Sequence, residues 1–171
     1  MDDKMEIRKA NPDDAEIVLE YLKQLRAERL NTIFRHEEMP NVEEERNFIG
    51  GKSGANGVVY ICLESFRVIG LLSAGRKSPQ QLSHSCDFGV SVLKEYRNKK
   101  IGTQLVKLLI EWANENNVQR VELSIIENNV AAMRLYKRLG FSEEGKKKGA
   151  VKIDNQYLDM IEMVKRVCLE K

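Results

Sequence analysis

Cysteine and histidine are scarce in this chain. The three cysteines, Cys62, Cys86 and Cys168, have no metal-ligand spacing, and their odd number argues against a disulfide framework. Cys62 and Cys86 fall within apolar runs and read as buried strand residues. His36, in the polar stretch Phe34-Arg35-His36-Glu37-Glu38, and His84, beside a strand, lack a metal partner at recognisable spacing, so no metal site is expected. Long apolar runs are missing too, none approaching the roughly 20 residues of a membrane helix. The start, Met1-Asp2-Asp3-Lys4-Met5-Glu6, has neither the basic region nor the apolar core of a secretory signal, which predicts no membrane partner and a cytoplasmic location. Nor is one sign of charge in excess. With 28 Lys and Arg against 26 Asp and Glu, the net charge of +2 is too near neutral for nucleic-acid binding by bulk electrostatics. No interleaving of basic and aromatic residues supplies that signal instead, so no nucleic-acid partner is expected.

What is present suits one folded unit. A chain of 171 residues, 42% hydrophobic and 32% charged, is a natural size for one domain, expected over residues 1–171, with its own core. Met5 to Arg8 is a short strand candidate. Asn11-Pro12-Asp13-Asp14 then combines a capping residue, a first-turn proline and acidic residues, and Val18, Leu22 and Leu25 carry a helix to about Glu28. A second helix is expected from Val42 to Ile49, followed by a flexible loop over Gly50 to Gly57. Val58 to Leu63 and Val68 to Ala74 read as a hairpin turning at Glu64-Ser65-Phe66-Arg67, and Cys86 to Leu93 as the next strand. Arg120 to Ile126 alternates as a strand with Val121, Leu123 and Ile125 on one face, and a final pair runs from Ser142 to Ile153 and Tyr157 to Val164. Lys146-Lys147-Lys148 is expected to decorate a solvated loop, with steering of an anionic ligand as the alternative. This order of elements predicts an α+β fold, a central sheet with helices on its faces.

Two segments carry chemistry. Between the apolar strand Phe88 to Leu93 and a helix marked by Ile101, Leu105, Leu108, Leu109 and Trp112 stands the basic turn Tyr96-Arg97-Asn98-Lys99-Lys100-Ile101-Gly102-Thr103. The first N–H groups of a helix have no intrahelical partner and the macrodipole makes that end positive, so such a turn can cradle a phosphorylated ligand. Further on, Asn128-Asn129-Val130-Ala131-Ala132-Met133-Arg134-Leu135-Tyr136-Lys137-Arg138-Leu139-Gly140-Phe141 opens on a capping Asn and closes on a glycine suited to a helix end.

Together these segments resemble the GNAT superfamily of N-acetyltransferases, whose cofactor turn reads Arg/Gln-x-x-Gly-x-Gly/Ala and whose later helix reads Asn-x-x-Ala-x-x-Leu-Tyr-x-x-x-Gly-Phe. The second pattern is complete in Asn129, Ala132, Leu135, Tyr136, Gly140 and Phe141; in the first, Arg97 and Gly102 match, while Lys100 replaces a glycine. The resemblance implies a mixed, mostly antiparallel sheet splayed at its two central strands, with the pantetheine arm of acetyl-CoA in the gap. It places that arm on Ser91, Val92 and Leu93, the pyrophosphate on amides of Arg97, Asn98, Lys99, Lys100, Ile101, Gly102 and Thr103, and Asn129 near the pantetheine. Tyr136 would lie near the thioester sulfur as general acid, with a core tyrosine as the plainer role. Asp87 and Glu122 are the strand carboxylates available as general base, and a water chain is an equal alternative. The implied reaction is acetyl transfer from acetyl-CoA to a small-molecule or peptide amine, with the acceptor site formed by Leu30 to Pro40 and Lys146 to Tyr157. Dimerisation through late strands or helices is also compatible with the resemblance. A non-catalytic acyl-CoA-binding module of the same fold is the alternative. Gly51-Lys52-Ser53 matches the end of a nucleotide-binding phosphate loop, but the first glycine of that motif would fall on Arg46 and a polar helix precedes it, so this reading fails.

Overall fold

Seven strands form one sheet, and its helices follow from local signals that the computed structural model shows in use; residues 5–28 and 38–167 are described. Strand β1 (Glu6–Lys9) leads into a 3-10 turn at Pro12–Asp14 and helix α1 (Ala15–Ala27). Asn11 and Asp14 form a reciprocal capping box there, so the expected helix begins with one tight turn before its α-helical part. Helix α2 (Val42–Gly51) starts with a second such box between Asn41 and Glu44. It runs through Gly50 and Gly51, and a 3-10 turn follows at Gly54–Asn56. The loop expected over Gly50 to Gly57 is therefore partly ordered, and Trp112 Nε1 donates to the Gly54 carbonyl at 3.1 Å to hold it.

Strands β2 (Gly57–Glu64) and β3 (Arg67–Arg76) form the hairpin, turning through Ser65 and Phe66 with φ of 49° and 65°. Strand β4 (Ser85–Val92), helix α3 (Ile101–Glu115), strand β5 (Arg120–Ile126), helix α4 (Val130–Arg138) and the strand pair β6 (Ser142–Ile153) and β7 (Gln156–Arg166) complete the chain. The spatial order is β1-β2-β3-β4-β5-β7-β6, antiparallel throughout except for β4 beside β5. The lysine cluster lies in β6 rather than in a loop: Lys146 pairs with Asp159 at 3.0 Å and Lys147 with Glu162 at 2.9 Å. Among the described residues, no helix is long and apolar enough to cross a membrane.

Alternation along the strands separates two apolar clusters, one on each face of the sheet. Val58, Tyr60, Cys62, Phe88, Val121, Leu123 and Ile125 pack under α3 and α4 with Leu105, Leu109, Trp112 and Tyr136. Ile61, Leu63 and Leu93 face the other way, under α1 and α2, with Val18, Tyr21, Leu25 and Ile49. On the α1–α2 face the helices pack over β2 and β3.

Candidate active site

The opening between β4 and β5 is set by where their pairing stops. The two strands are joined over Ser85–Arg120, Cys86–Val121 and Asp87–Glu122 only, while β4 continues to Val92 and β5 to Ile126. The sheet therefore splays at its two central strands. On its other side β4 keeps an unbroken register with β3, from Arg76–Cys86 to Gly70–Val92. Lys77 N–H donates to the Ser85 carbonyl at 2.9 Å and Leu93 N–H to the Ile69 carbonyl at 3.0 Å, so the odd-numbered β4 residues exchange hydrogen bonds with β3. The backbone groups of Val90 and Val92 then point into the gap, where no strand meets them.

This phase corrects one expectation. Of Ser91, Val92 and Leu93, only Val92 presents its backbone to the gap. Leu93 is committed on both sides, its carbonyl accepting from Tyr96 N–H at 2.9 Å, and its side chain is buried. Ser91 faces β3 with its backbone, and its hydroxyl meets the Tyr21 hydroxyl at 2.8 Å. Val90 lines the gap and Tyr21 braces Ser91 beside it; neither is visible along the chain, because an apolar run does not reveal which alternate residues will be left unpaired.

The basic turn has the geometry of an anion cradle. After a 3-10 turn at Lys94–Tyr96 the chain is extended at Arg97 and left-handed at Asn98 and Lys100, both at φ 63°. Lys100 is the N-cap of α3, and no side chain caps that end. The first helical bond is Gln104 N–H to the Lys100 carbonyl at 3.0 Å, which leaves Ile101, Gly102 and Thr103 leading with N–H groups that no turn of helix precedes. Gly102 is informative because a helical glycine costs up to about 1 kcal/mol relative to Ala. Its φ is not positive, and a Cβ there would reach nothing nearer than Leu135 at an ordinary 3.6 Å. Neither backbone nor packing requires glycine, which fits close approach by a ligand. The Arg97 guanidinium is turned away from this cradle, donating to the Val92 carbonyl at 3.1 Å and to Glu28 at 2.9 Å. Lys99 lies with its ammonium 4.9 Å from the Tyr96 ring centre.

Tyr136 stands beside the apex of the gap. Its ring packs edge-on against Phe88, the first β4 residue beyond the last pair, with centroids 5.8 Å apart, and against Phe141 at 5.7 Å. Burial raises its pKa, so the phenol stays protonated at neutral pH. Asn129 caps α4 by accepting from Ala132 N–H at 3.2 Å. The two cysteines in the core are inert, burial pushing Cys62 up to about 11 and Cys86 up to about 12.

Asp87 and Glu122 come together, as the last pair before the splay, but in ion pairs. Lys77 bridges them, at 3.2 Å from Asp87 and in direct contact with Glu122, which also accepts from Arg120. Burial raises the Glu122 pKa, yet the bonds from Lys77 and Arg120 outweigh it and hold the carboxyl below its usual range. Such a carboxylate is a weak proton acceptor, which counts against Glu122 as a base. Residues 29–37, which include His36 and most of the expected acceptor segment Leu30 to Pro40, lie outside the described residues, as does Cys168.

A sheet opened beside an uncapped basic helix end can take an extended, phosphorylated ligand along one strand. The family model for the acetyltransferase (GNAT) domain matches residues 7–162, and the chain belongs to that family. Acetyl-CoA is the family's cosubstrate, and the unpaired strand, the cradle and Gly102 fit it. Among curated relatives, an L-amino acid N-acetyltransferase from Escherichia coli is 30% identical over 99 residues, 57% of this chain and 61% of that protein. A spermine/spermidine N(1)-acetyltransferase from Bacillus subtilis is 42% identical over 53 residues, 30% of this chain and 35% of that protein. Alignments to the first curated relatives thus span 22% to 61% of their length. A solved structure from Salmonella typhimurium, described with its cofactor acetyl-CoA, superposes with a TM-score of 0.86 at 20% identity over 97% of this chain and 95% of that one.

Proposed function

We propose that the protein is an N-acetyltransferase that moves the acetyl group of acetyl-CoA to a primary amine by direct attack in a ternary complex. The observation that carries this reading is the gap itself, lined by the backbone of Val90 and Val92 and ending at the α3 N-terminus. The backbone of Val90 and the N–H of Val92, whose carbonyl is taken by Arg97, would pair with the pantetheine arm, and the amides from Lys99 to Thr103 would hold the pyrophosphate. Bound there, acetyl-CoA supplies an activated thioester: the amine nitrogen bonds to its carbonyl carbon, the carbon–sulfur bond breaks, and the amine's surplus proton leaves. An N–H aimed into the gap, that of Val92 or Val90, is placed to stabilise negative charge on the carbonyl oxygen. Tyr136, protonated at neutral pH as any phenol with a pKa of about 10 or above is, would give the departing thiolate its proton. Asp87 is more exposed than Glu122 and has one carboxylate oxygen outside the ion pair to Lys77, which favours it or a water it orders as proton acceptor.

The acceptor would be a small amine of the kind named in the relatives, an amino acid or a polyamine. Calorimetric titration with acetyl-CoA tests the first half of the reading, with micromolar binding expected, about −8 kcal/mol. Thiol release on adding amines tests the second. Binding without thiol release for any amine would favour a non-catalytic acyl-CoA-binding module.

A further inference from the structure

On the α1–α2 face, next to the gap, lies a depression of about 440 Å³ lined by Lys52, Gly75, Lys77 and Asp87 among others. Its floor is small by register. Gly57 pairs with Gly75 and Gly75 with Asp87; one alternation further along, Ser73 pairs with Gly89. A Cβ at Gly89 would meet nothing within 4 Å, so the space above it is open. Lys52, which ends α2, lays its side chain across the paired glycines. A Cβ at Gly57 would collide first with the Ala74 carbonyl and also come 2.9 Å from the Lys52 Cδ, and one at Gly75 would collide with the Lys52 ammonium. Two strand glycines, each a cost to the sheet, thus make a trough for one lysine.

Charge decides what that lysine is for. Among the described residues, the carboxylates on this stretch of the face are already engaged in ion pairs, though not with one cation each. Asp87 and Glu122 share Lys77, Glu122 and Glu144 share Arg120, and Glu162 has Lys147 at 2.9 Å with a further hydrogen bond from Ser124 at 2.8 Å. Arg76 is spent on the carbonyls of Ala55, Ser83 and Asn116. Lys52 has no carboxylate within ion-pair distance among the described residues, and the Phe48 ring lies 5.5 Å from its ammonium. The lining of the depression sets Lys52, Arg76 and Lys77 against one carboxylate, Asp87, so its charge is positive.

We infer that Lys52 selects an acceptor that carries a carboxylate as well as its amine, an amino acid rather than a polyamine; this rests on the acetyl-transfer reading above. The carboxylate pairs with Lys52 above Gly75, and the amine lies above Gly89, beside the gap-facing backbone of Val90. Gly75 and Gly89 are diagonal neighbours of an antiparallel pair, about 7–8 Å apart between Cα atoms, a span that fits an amine and a carboxylate a few bonds apart. A polyamine would bring a second cation toward Lys52, Arg76 and Lys77, where the one lining carboxylate, Asp87, already pairs with Lys77.

The test compares thiol release from acetyl-CoA with a panel of L-amino acids, the matching L-amino acid amides and spermidine, for the wild type and Lys52→Gln, with acetyl-CoA titrated into both. The wild type is expected to use amino acids at least tenfold better than their amides by kcat/KM. Lys52→Gln is expected to raise KM for the acids at least tenfold, leave the amides unchanged and bind acetyl-CoA as the wild type does. Equal use of acids and amides, use of spermidine alone, or an acid-to-amide ratio unchanged in Lys52→Gln would overturn the assignment while leaving acetyl transfer standing. Bound acetyl-CoA with no thiol release for any amine would instead overturn the acetyl-transfer reading, and this one with it.

Discussion

The hydroxyls of Tyr21 and Ser91 meet at 2.8 Å, tying the middle of α1 to the splayed end of β4. Tyr21 is buried, and Ser91 sits between the two residues whose backbone faces the gap, so this bond fixes the strand that would carry the cosubstrate. Replacing Tyr21 with Phe should cost about 1 kcal/mol of stability, the usual net value of one hydrogen bond, and weaken acetyl-CoA severalfold. Chemical denaturation and calorimetric titration of the same variant check both.

Lys100 holds a left-handed backbone at φ 63° that suits glycine. Such a residue carries on the order of 1 kcal/mol of strain, part of which glycine returns through its freer unfolded state. Lys100→Gly should therefore stabilise the protein by about 0.5 kcal/mol, and Lys100→Val should destabilise it by more than that. Denaturation midpoints decide.

Gly102→Ala should separate folding from ligand binding. The new Cβ meets only Leu135 at 3.6 Å, so the helix should gain about 0.5–1 kcal/mol from the lost glycine. Acetyl-CoA affinity should fall at least tenfold if the pyrophosphate approaches that Cα. A variant that melts higher and binds as tightly as the parent would remove Gly102 from the cradle.

Tyr136→Phe should leave acetyl-CoA binding nearly intact and lower kcat by roughly 10²-fold or more, the usual span of a lost general acid. Because burial raises the Tyr136 pKa, the phenol keeps its proton beyond the range where a free tyrosine ionises, about pH 10. The pH–rate profile should accordingly show no loss assignable to this group between about pH 8 and 10.

Asp14 carries a pH signature in stability rather than in catalysis. Hydrogen bonds from Arg8 lower its folded pKa first of all, with burial opposing and the Asn11 N–H reinforcing. A lowered folded pKa means stabilisation present above the unfolded value, near 4, and lost as pH falls through the folded one. Asp14→Asn should cost about 1.5–3 kcal/mol at pH 7, as for hydrogen bonds to a charged group, and progressively less below pH 4. Denaturant titrations at pH 7 and pH 3 give the comparison.

Much of this molecule is legible along the chain because the signals involved are local. The strand Arg120–Ile126 has the bounds its alternation predicts, with Val121, Leu123 and Ile125 buried on one face, and the strand Ser142–Ile153 stops at the turn of Asp154 and Asn155, both with positive φ. The α4 helix begins after its capping Asn129 and stops before Gly140 with φ 86°. Other features depend on partners far away in sequence. Whether Glu122 is free or bound rests on Lys77, 45 residues distant, and whether Ser91 or Val92 faces the gap rests on the phase of the β3 ladder. Neither distance nor phase is written in a hydrophobic pattern.

By itself the sequence determined the order of elements, the two motifs and hence the family, since caps, glycines and periodicity act within a few residues. Only the tertiary structure decided where β4 and β5 part, which amides are left for a ligand, and that Lys52 lies across two paired glycines while the neighbouring Lys77 is held by Asp87 and Glu122. The reason is physical: pairing and ion partnership are settled by register between strands, and register is a property of the assembled sheet rather than of any one segment.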